Sequence, residues 1–439
     1  MGNNQFNQIA IVGLGYVGLP LCIRFCESDI KVIGLDVDRD KVNSINRGES
    51  YIKHIDSALL DKLTSDNKLK ASYDFEEIYS CDAILICVPT PLGKDNDPDI
   101  SYVIETGKSI APYLNSEETQ KKKLVVLEST TFPGTTDEDL RKVLEEVSGL
   151  IAGEDFNLAY SPEREDPGRV DHNVKSIPKV MGGYTSECLD KCVELYSIAV
   201  DTIYPVSSTK VAEATKLTEN IFRSVNIALV NELKMVYEKM DINIWEVIEA
   251  ASTKPFGYMP FHPGPGLGGH CIPIDPFYLS WKANQVGIKT KFIELAGEIN
   301  CSMPEYVVGK VTKALSVENK SVHESRILLL GLAYKPNVDD TRESPSFVLI
   351  DTLSSNGAII DYYDPHINVV PKIRKYPELS GKKSVNWDQE ILGSYDLVLI
   401  STAHDQVNYD ELGQWASIIV DTRNVMASVN NPKAKVYIA

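Results

Sequence analysis

Cys271 and Asp275 stand four residues apart near the end of the stretch Pro255 to Phe277, PFGYMPFHPGPGLGGHCIPIDPF. A thiol and a carboxylate presented together can trap a carbonyl carbon covalently and then help water release it. Proline and glycine at this density exclude the interior of a helix or strand, so the stretch is predicted to be an irregular loop, and a loop this long in a compact protein is usually functional. Gly266, Gly268 and Gly269 would let backbone approach a ligand beside the thiol. Free cysteine is also among the most buried residue types, and on the loop alone an inert cysteine in a Gly/Pro-rich linker weighs equally. Two further pairs carry reactive side chains. Lys216 and Asn220 are one turn apart on one face of a predicted helix, and Glu163 and Arg164 share a polar turn. Taken by themselves, Lys216 and Asn220 lie in too polar a sequence to be told from a solvated pair, and for Glu163 and Arg164 an exposed turn charge is the default.

The elements that would position these groups begin at the N-terminus. Gln8 to Val12 is a short apolar β-type run, GLGYVG at 13–18 opens a helix, and Lys31 to Leu35 is a second strand ending on Asp36. Gly13, Gly15 and Gly18 alone are weak evidence. In the order strand, glycines, helix, strand and terminal acid they form a dinucleotide-binding signature, in which backbone closes on a pyrophosphate at a helix N-terminus. Asp36 would hold the adenosine ribose hydroxyls and repel a 2′-phosphate, which favours NAD over NADP. The alternation continues through strands ending at Val88 and Thr130, so Thr90, Ser129 and Thr130 are expected to face the cofactor from the carboxyl ends. A strand from Asn157 runs into the Glu163–Arg164 turn.

From Ser207 to Asp241, Ala212, Leu217, Ile221, Val225, Leu229 and Leu233 recur at helical spacing, which predicts a long helix between two domains with a dimer surface on it. A second helical stretch is expected from Pro276 to Ala314. After the polar segment near 317–325, four strands read at Arg326–Gly331, Ala358–Asp364, Tyr395–Ile400 and Ser417–Asp421, without a full glycine fingerprint. This predicts a second Rossmann-like domain for a ligand other than the dinucleotide, with Lys335, Arg342 and Arg423 as anion contacts. The expected fold is therefore α/β, with two Rossmann-like domains joined by a long central helix and a helical middle segment; the boundaries fall at 1–206, 207–315 and 316–439.

The bulk composition narrows the function. With 44 Lys+Arg against 62 Asp+Glu the net charge is −18, which argues against nucleic acid or an anionic membrane as the main partner. No apolar run approaches a membrane span, and the N-terminus lacks a signal peptide's charged and apolar regions. The eight cysteines show neither a disulfide framework nor CxxC metal spacing, so a reduced, cytoplasmic protein with no structural metal is expected.

With GLGYVG at 13–18, KLTEN at 216–220, GPGLGGHC followed by Asp275, and AYKPNVDDTRESP at 333–345, the chain closely resembles the nucleotide-sugar 6-dehydrogenases, the UDP-glucose/GDP-mannose dehydrogenase family, from residue 8 to about 430. The resemblance implies an NAD-binding domain, a helical middle segment that makes a homodimer or higher homo-oligomer, and a domain holding the UDP group. It implies oxidation of a sugar C6 alcohol to a carboxylate with two NAD, through a Cys271 thiohemiacetal and thioester, for a bacterial or archaeal surface-polysaccharide precursor. Lys216 and Asn220 would stabilise the oxyanion, and Thr130, Glu163 and Asp275 would position or activate water. Tyr16, Val17, Asp36, Lys41 and, from the C-terminal domain, Arg342 would contact the cofactor. Phe261, Gly268, Lys335 and Arg423 would contact the substrate, together with Glu163, Lys216 and Asn220.

Three departures from the UDP-glucose branch, at Pro162–Glu165, Cys271–Asp275 and Pro255–Gly257, resemble the branch that oxidises UDP-N-acetylhexosamines, with Arg164 toward the acetamido sugar. UDP-N-acetylglucosamine leads. UDP-N-acetylmannosamine, UDP-N-acetylgalactosamine and UDP-glucose are the alternatives, with a non-catalytic NAD-binding protein or a two-electron hydroxyacid dehydrogenase more remote.

Overall fold

The computed structural model describes residues 6–52, 55–93, 97–115, 121–164, 175–269, 272–373 and 375–439. The chain packs as two compact units, Met1–Glu219 with Phe277–Lys289 and Asn220–Pro276 with Thr290–Ala439. The α/β expectation holds: one sheet lies in the N-terminal part, another in the C-terminal part, and a helical segment joins them. No helix among the described residues is long and apolar enough to cross a membrane.

The first unit is built on β1 (Gln8–Val12), β2 (Lys31–Leu35), β3 (Leu69–Ser72), β4 (Ala83–Ile86), β5 (Leu124–Leu127), β6 (Asn157–Tyr160), β7 (Lys179–Gly183) and β8 (Ile203–Val206). Their order is β3-β2-β1-β4-β5-β6-β7-β8, and every pairing is parallel except β6 with β7. Alternate residues serve opposite faces: Ile9 and Ile11 enter one apolar cluster, Ala10 and Val12 the other. Covered on both faces, the central strands can be continuously apolar, as in Ile84-Leu85-Ile86. Strand order reverses between β1 and β4, which is where ligands bind in open sheets of this kind.

The second unit carries β9 (Arg326–Leu330), β10 (Ile359–Tyr363), β11 (Leu397–Ile400), β12 (Ile418–Asp421) and β13 (Lys435–Ile438), all parallel in the order β10-β9-β11-β12-β13. Four of these strands were expected. The fifth, β13, is a short edge strand that follows a polar Asn-Asn-Pro-Lys turn and pairs with β12 from Ile418↔Lys435 onward. The long helix spans Thr209–Lys239. The helical stretch expected from 276 to 314 is two helices, Asp275–Gln285 and Lys291–Val317, interrupted at Gly287, whose φ of +78° ends the first.

Gly331 ends β9 with a φ of +86°, and a Cβ there would lie 2.2 Å from the Thr402 carbonyl oxygen. Gly331→Ala therefore combines left-handed strain with a backbone overlap. It is expected to cost about 2 kcal/mol or more, read as a lower denaturant midpoint by tryptophan emission; an unchanged midpoint would contradict the turn's geometry.

Candidate active site

The fingerprint glycines divide their work. A Cβ on Gly13, at a φ of +96°, would lie 2.6 Å from the Cys87 carbonyl oxygen, and one on Gly18 would lie 1.9 Å from the Gly13 oxygen, so these two close the turn against β4 and against itself. Gly15 has nothing within 4 Å of its Cβ position. The helix Gly18–Glu27 starts after Tyr16 and Val17 with no side-chain cap and no acid in its first turn. Open backbone at an uncapped helix N-terminus is the cradle a pyrophosphate needs.

Asp36, 8% exposed, accepts hydrogen bonds from the Leu14 N–H (2.9 Å) and the Asp38 N–H (2.9 Å), and Lys41 lies 3.3 Å away. Its carboxylate is thereby fixed beside the glycine turn, as ribose recognition requires. Across the reversal point, the Ser129 hydroxyl donates to the Val88 carbonyl (2.7 Å) and the Thr90 hydroxyl to the Thr130 carbonyl (2.7 Å), so the carboxyl ends of β4 and β5 are tied together. The Tyr278 hydroxyl donates to the Thr90 carbonyl as well. The residues present fit an NAD.

Past β6, Glu163 and Arg164 are not exposed turn charges. One Glu163 carboxylate oxygen accepts from the Arg164 N–H (2.7 Å), and the other lies 2.8 Å from the Lys179 amine. Lys216, 8% exposed, donates to the Glu163 carbonyl oxygen at 2.6 Å. Arg164 grips Glu219 through two nitrogens, at 3.2 and 2.5 Å, and donates to the Pro178 carbonyl at 2.6 Å. Its guanidinium is thus held in place by a carboxylate before any sugar arrives. The sequence reading did not anticipate this bond.

In the second unit, Asn220 donates to Asp275 at 2.5 Å, with both side chains buried. Asp275 opens the helix Asp275–Gln285, where the helix dipole favours a negative charge. The loop before it is anchored at several points. The Gly264 N–H donates to Asn231 (3.0 Å) and the Gly269 N–H to the Arg342 carbonyl (2.9 Å). Gly268 and Gly269, two of the three glycines expected to admit a ligand, pack closely on protein: a Cβ on Gly268 would lie 2.6 Å from the Tyr334 Cβ and one on Gly269 2.9 Å from the Tyr334 ring, while one on the nearby Gly264 would lie 2.5 Å from the Arg423 guanidinium. His270 and Cys271 lie outside the described residues. Phe261 packs edge-on to Phe222 at 5.7 Å.

Lys335 extends over the Tyr334 ring at 5.7 Å, and Arg342 pairs bidentately with Asp340. Arg423 donates to the Ser401 carbonyl at 2.8 Å, and burial pulls its pKa down to about 10 despite Asp421. Asp364, at the end of β10, holds the place Asp36 holds in the first sheet, but it is 1% exposed. It accepts from the backbone N–H groups of Leu332, Ala333, His366 and Ile367 and from His404. With those positions filled it offers no ribose contact, which explains physically why this half does not repeat the dinucleotide site.

Glu213, Ser224, Asn231, Lys234 and Lys179 escaped the sequence reading, which singled out Lys216 and Asn220 on the long helix. Buried polar residues recur along one helix at Glu213, Lys216, Asn220, Ser224, Asn231 and Lys234, a stripe whose helical spacing was legible in principle. Glu213 accepts from the N–H groups of Gly134 (2.6 Å) and Thr136 (2.9 Å), and burial pushes its pKa up to about 7. Lys179 begins a strand of buried residues that carries two glycines, a pattern that masked it. A Cβ on Gly182 would lie 2.1 Å from the Ser208 carbonyl oxygen, so close packing dictates that composition.

Residues 7–200 match the NAD binding domain of the UDP-glucose/GDP-mannose dehydrogenase family, 210–302 its central domain and 328–428 its UDP binding domain. The UDP-N-acetyl-D-glucosamine 6-dehydrogenase of Pseudomonas aeruginosa is 34% identical over 95% of this chain and 97% of its own. The UDP-N-acetyl-D-mannosamine dehydrogenase of Escherichia coli K12 is 36% identical over 96% and 99%. Among solved structures, a UDP-D-ManNAc dehydrogenase from Pyrococcus horikoshii superposes with a TM-score of 0.85 at 32% identity, covering 98% of each chain. The fold and the fingerprint thus define an NAD-dependent oxidoreductase. The chain belongs to the UDP-glucose/GDP-mannose dehydrogenase family, its cofactor is NAD, and it is a nucleotide-sugar dehydrogenase.

Lys234 gives a testable pH dependence. Its amine is buried, lies 5.5 Å from the Tyr306 ring centre and has no hydrogen-bond acceptor among the described residues. Burial, reinforced by Lys310 and Arg423, lowers its pKa from 10.5 to about 7. The unfolded chain then binds more protons than the folded chain between about pH 7 and 10.5, so stability rises with pH across that window. Lys234→Met in the ligand-free protein should raise the melting temperature most near pH 6.5 and progressively less toward pH 9; a pH-independent difference would contradict this environment.

Proposed function

We propose that this chain oxidises the C6 hydroxyl of a UDP-N-acetylhexosamine, foremost UDP-N-acetylglucosamine, to the uronate. It would act in the cytoplasm as a homodimer or larger homo-oligomer, supplying a precursor for bacterial or archaeal surface polysaccharide. The carrying observation is identity of 34–36% over nearly the whole chain to enzymes named for UDP-N-acetylglucosamine and UDP-N-acetylmannosamine. Two sequence features support it. Arg164 follows Ser161-Pro-Glu, and Ile274 precedes Asp275 where the UDP-glucose branch carries a lysine. The exposed apolar residues Phe222, Leu229 and Val236 on the long helix support the oligomer.

Bound NAD supplies the hydride acceptor. Asp36 holds the adenosine ribose, and the uncapped helix N-terminus after Gly15 takes the pyrophosphate. The Cys271 sulfur bonds to C6 of the aldehyde left by the first oxidation as a proton reaches the carbonyl oxygen, giving a thiohemiacetal; loss of a second hydride from C6 and of the hydroxyl proton to a base leaves a thioester. Water then attacks the thioester carbon, its proton passes to a carboxylate, and the C–S bond breaks with the thiolate leaving.

Lys216 supplies a cation for the oxyanion. Asn220 gives one amide proton to Asp275 and keeps the other for the same oxygen. Glu163, Asp275 and Thr130 order and activate the water. Phe261, Gly268, Lys335 and Arg423 hold the UDP-sugar.

A panel of UDP-sugars followed by NADH absorbance tests the substrate. A UDP-N-acetylhexosamine should exceed UDP-glucose in kcat/KM by about ten- to a hundredfold or more, the order expected when a buried polar group is left without its partner. Equal or faster turnover of UDP-glucose would refute the assignment.

A further inference from the structure

The single antiparallel pairing of the first sheet has a chemical consequence. β5 and β6 run parallel, so their carboxyl ends share one edge; β7 runs the other way, so its first residue arrives at that same edge. Glu128 follows β5, Glu163 follows β6, and Lys179 begins β7. The Lys179 amine lies 2.6 Å from Glu128 and 2.8 Å from Glu163, with side-chain exposures of 4%, 0% and 14%. The Tyr196 hydroxyl donates to the remaining Glu128 oxygen, and the Lys179 amine sits 5.6 Å from the Tyr196 ring centre.

We propose that Lys179 is a positioning residue for the reaction: it keeps the Glu163 carboxylate ionised and aimed, while Glu128 and Tyr196 keep Lys179 in place. This rests on the reading above, in which Glu163 serves the reacting water. Burial alone would discharge the amine, but the two carboxylates outweigh it and hold the Lys179 pKa above its ordinary value. The cation is therefore present throughout the working pH range. One carboxylate would have sufficed to neutralise it. Glu128 is fully buried and bound to both Lys179 and Tyr196, whereas Glu163 is the partner with a solvent-facing side, so Glu163 is the one able to meet water.

Among the described residues, the other titratable groups facing this cluster are Cys87 after β4, Cys192 on the helix Ser186–Tyr196, and Arg164 and Lys216 beside Glu163. Arg164 is committed to Glu219, and Lys216 bonds the Glu163 carbonyl rather than its carboxylate. Burial pushes both thiols far up, leaving them neutral. Lys179 is thus the cation bonded to the Glu163 carboxylate among the described residues.

Lys179→Met alone would leave Glu128 buried and unpaired, a change that can unfold the chain. The informative variant is Glu128→Gln with Lys179→Met, which removes both buried charges and leaves Tyr196 an acceptor. With the fastest UDP-N-acetylhexosamine as substrate, this double variant should lose kcat at pH 7 by about tenfold or more while KM stays within about twofold. A cation favours the ionised carboxylate, so its removal should move the acidic limb of the kcat/KM profile to higher pH.

Glu128→Gln with Lys179→Arg keeps the cation and should retain the wild-type limb; a displaced limb there would overturn the proposal, and this variant decides the matter should the first not fold. A wild-type rate and profile in the double variant, alongside a crippled Glu163→Gln, would show that Lys179 is structural. Wild-type turnover by Glu163→Gln would instead refute the role given to Glu163 itself.

Discussion

A lysine amine shut away from water between two carboxylates is the interaction that fixes one edge of the first unit's sheet, at the ends of β5 and β6. Removing such a charge from water costs several kcal/mol unless partners of opposite sign are held at bonding distance. Here three different strands supply the three groups, so their alignment must hold to within a few tenths of an ångström. The antiparallel β6–β7 pair makes that possible by bringing the start of one strand to the finish of two others. Glu163 leaves this arrangement with its carboxylate bonded and its main-chain carbonyl held by Lys216. A residue constrained at both its side chain and its main chain is held to one position.

The two sheets show how one architecture yields two binding surfaces. Each ends its second strand in topology on an aspartate that receives N–H groups from the turn after the first. In the N-terminal sheet the turn is open at Gly15 and Asp36 keeps capacity for a ligand. In the C-terminal sheet four backbone N–H groups with His404 saturate Asp364. The difference lies in what fills the crevice at the strand ends, not in strand order alone.

Much of this was legible from the chain itself. The fingerprint, Asp36 and the apolar strands β1, β4, β5, β9 and β11 follow from periodicity and glycine spacing, because local backbone geometry dictates them. That Thr90, Ser129 and Thr130 lie just past the carboxyl ends of β4 and β5 followed from where the apolar runs stop. What stayed hidden depends on long-range partners. Lys179 reads as an ordinary lysine until Glu128 and Glu163 are placed around it from 51 and 16 residues away. Arg164 reads as a turn charge until Glu219 arrives on a helix. Close packing at the loop glycines is hidden too: Gly268 and Gly269 sit against Tyr334, and Gly264 against Arg423, since sequence shows an absent side chain but not what occupies its space.

The central claim is that one thiol carries the sugar between two hydride transfers, and reaction stoichiometry measures it most directly. With limiting UDP-N-acetylhexosamine and excess NAD, the NADH formed per sugar consumed should be two, with uronate as the product and no aldehyde captured by an added carbonyl trap. Replacement of Cys271 by alanine should abolish the second equivalent. One NADH per sugar with free aldehyde in the wild-type protein, or two per sugar at the wild-type rate without Cys271, would contradict the account.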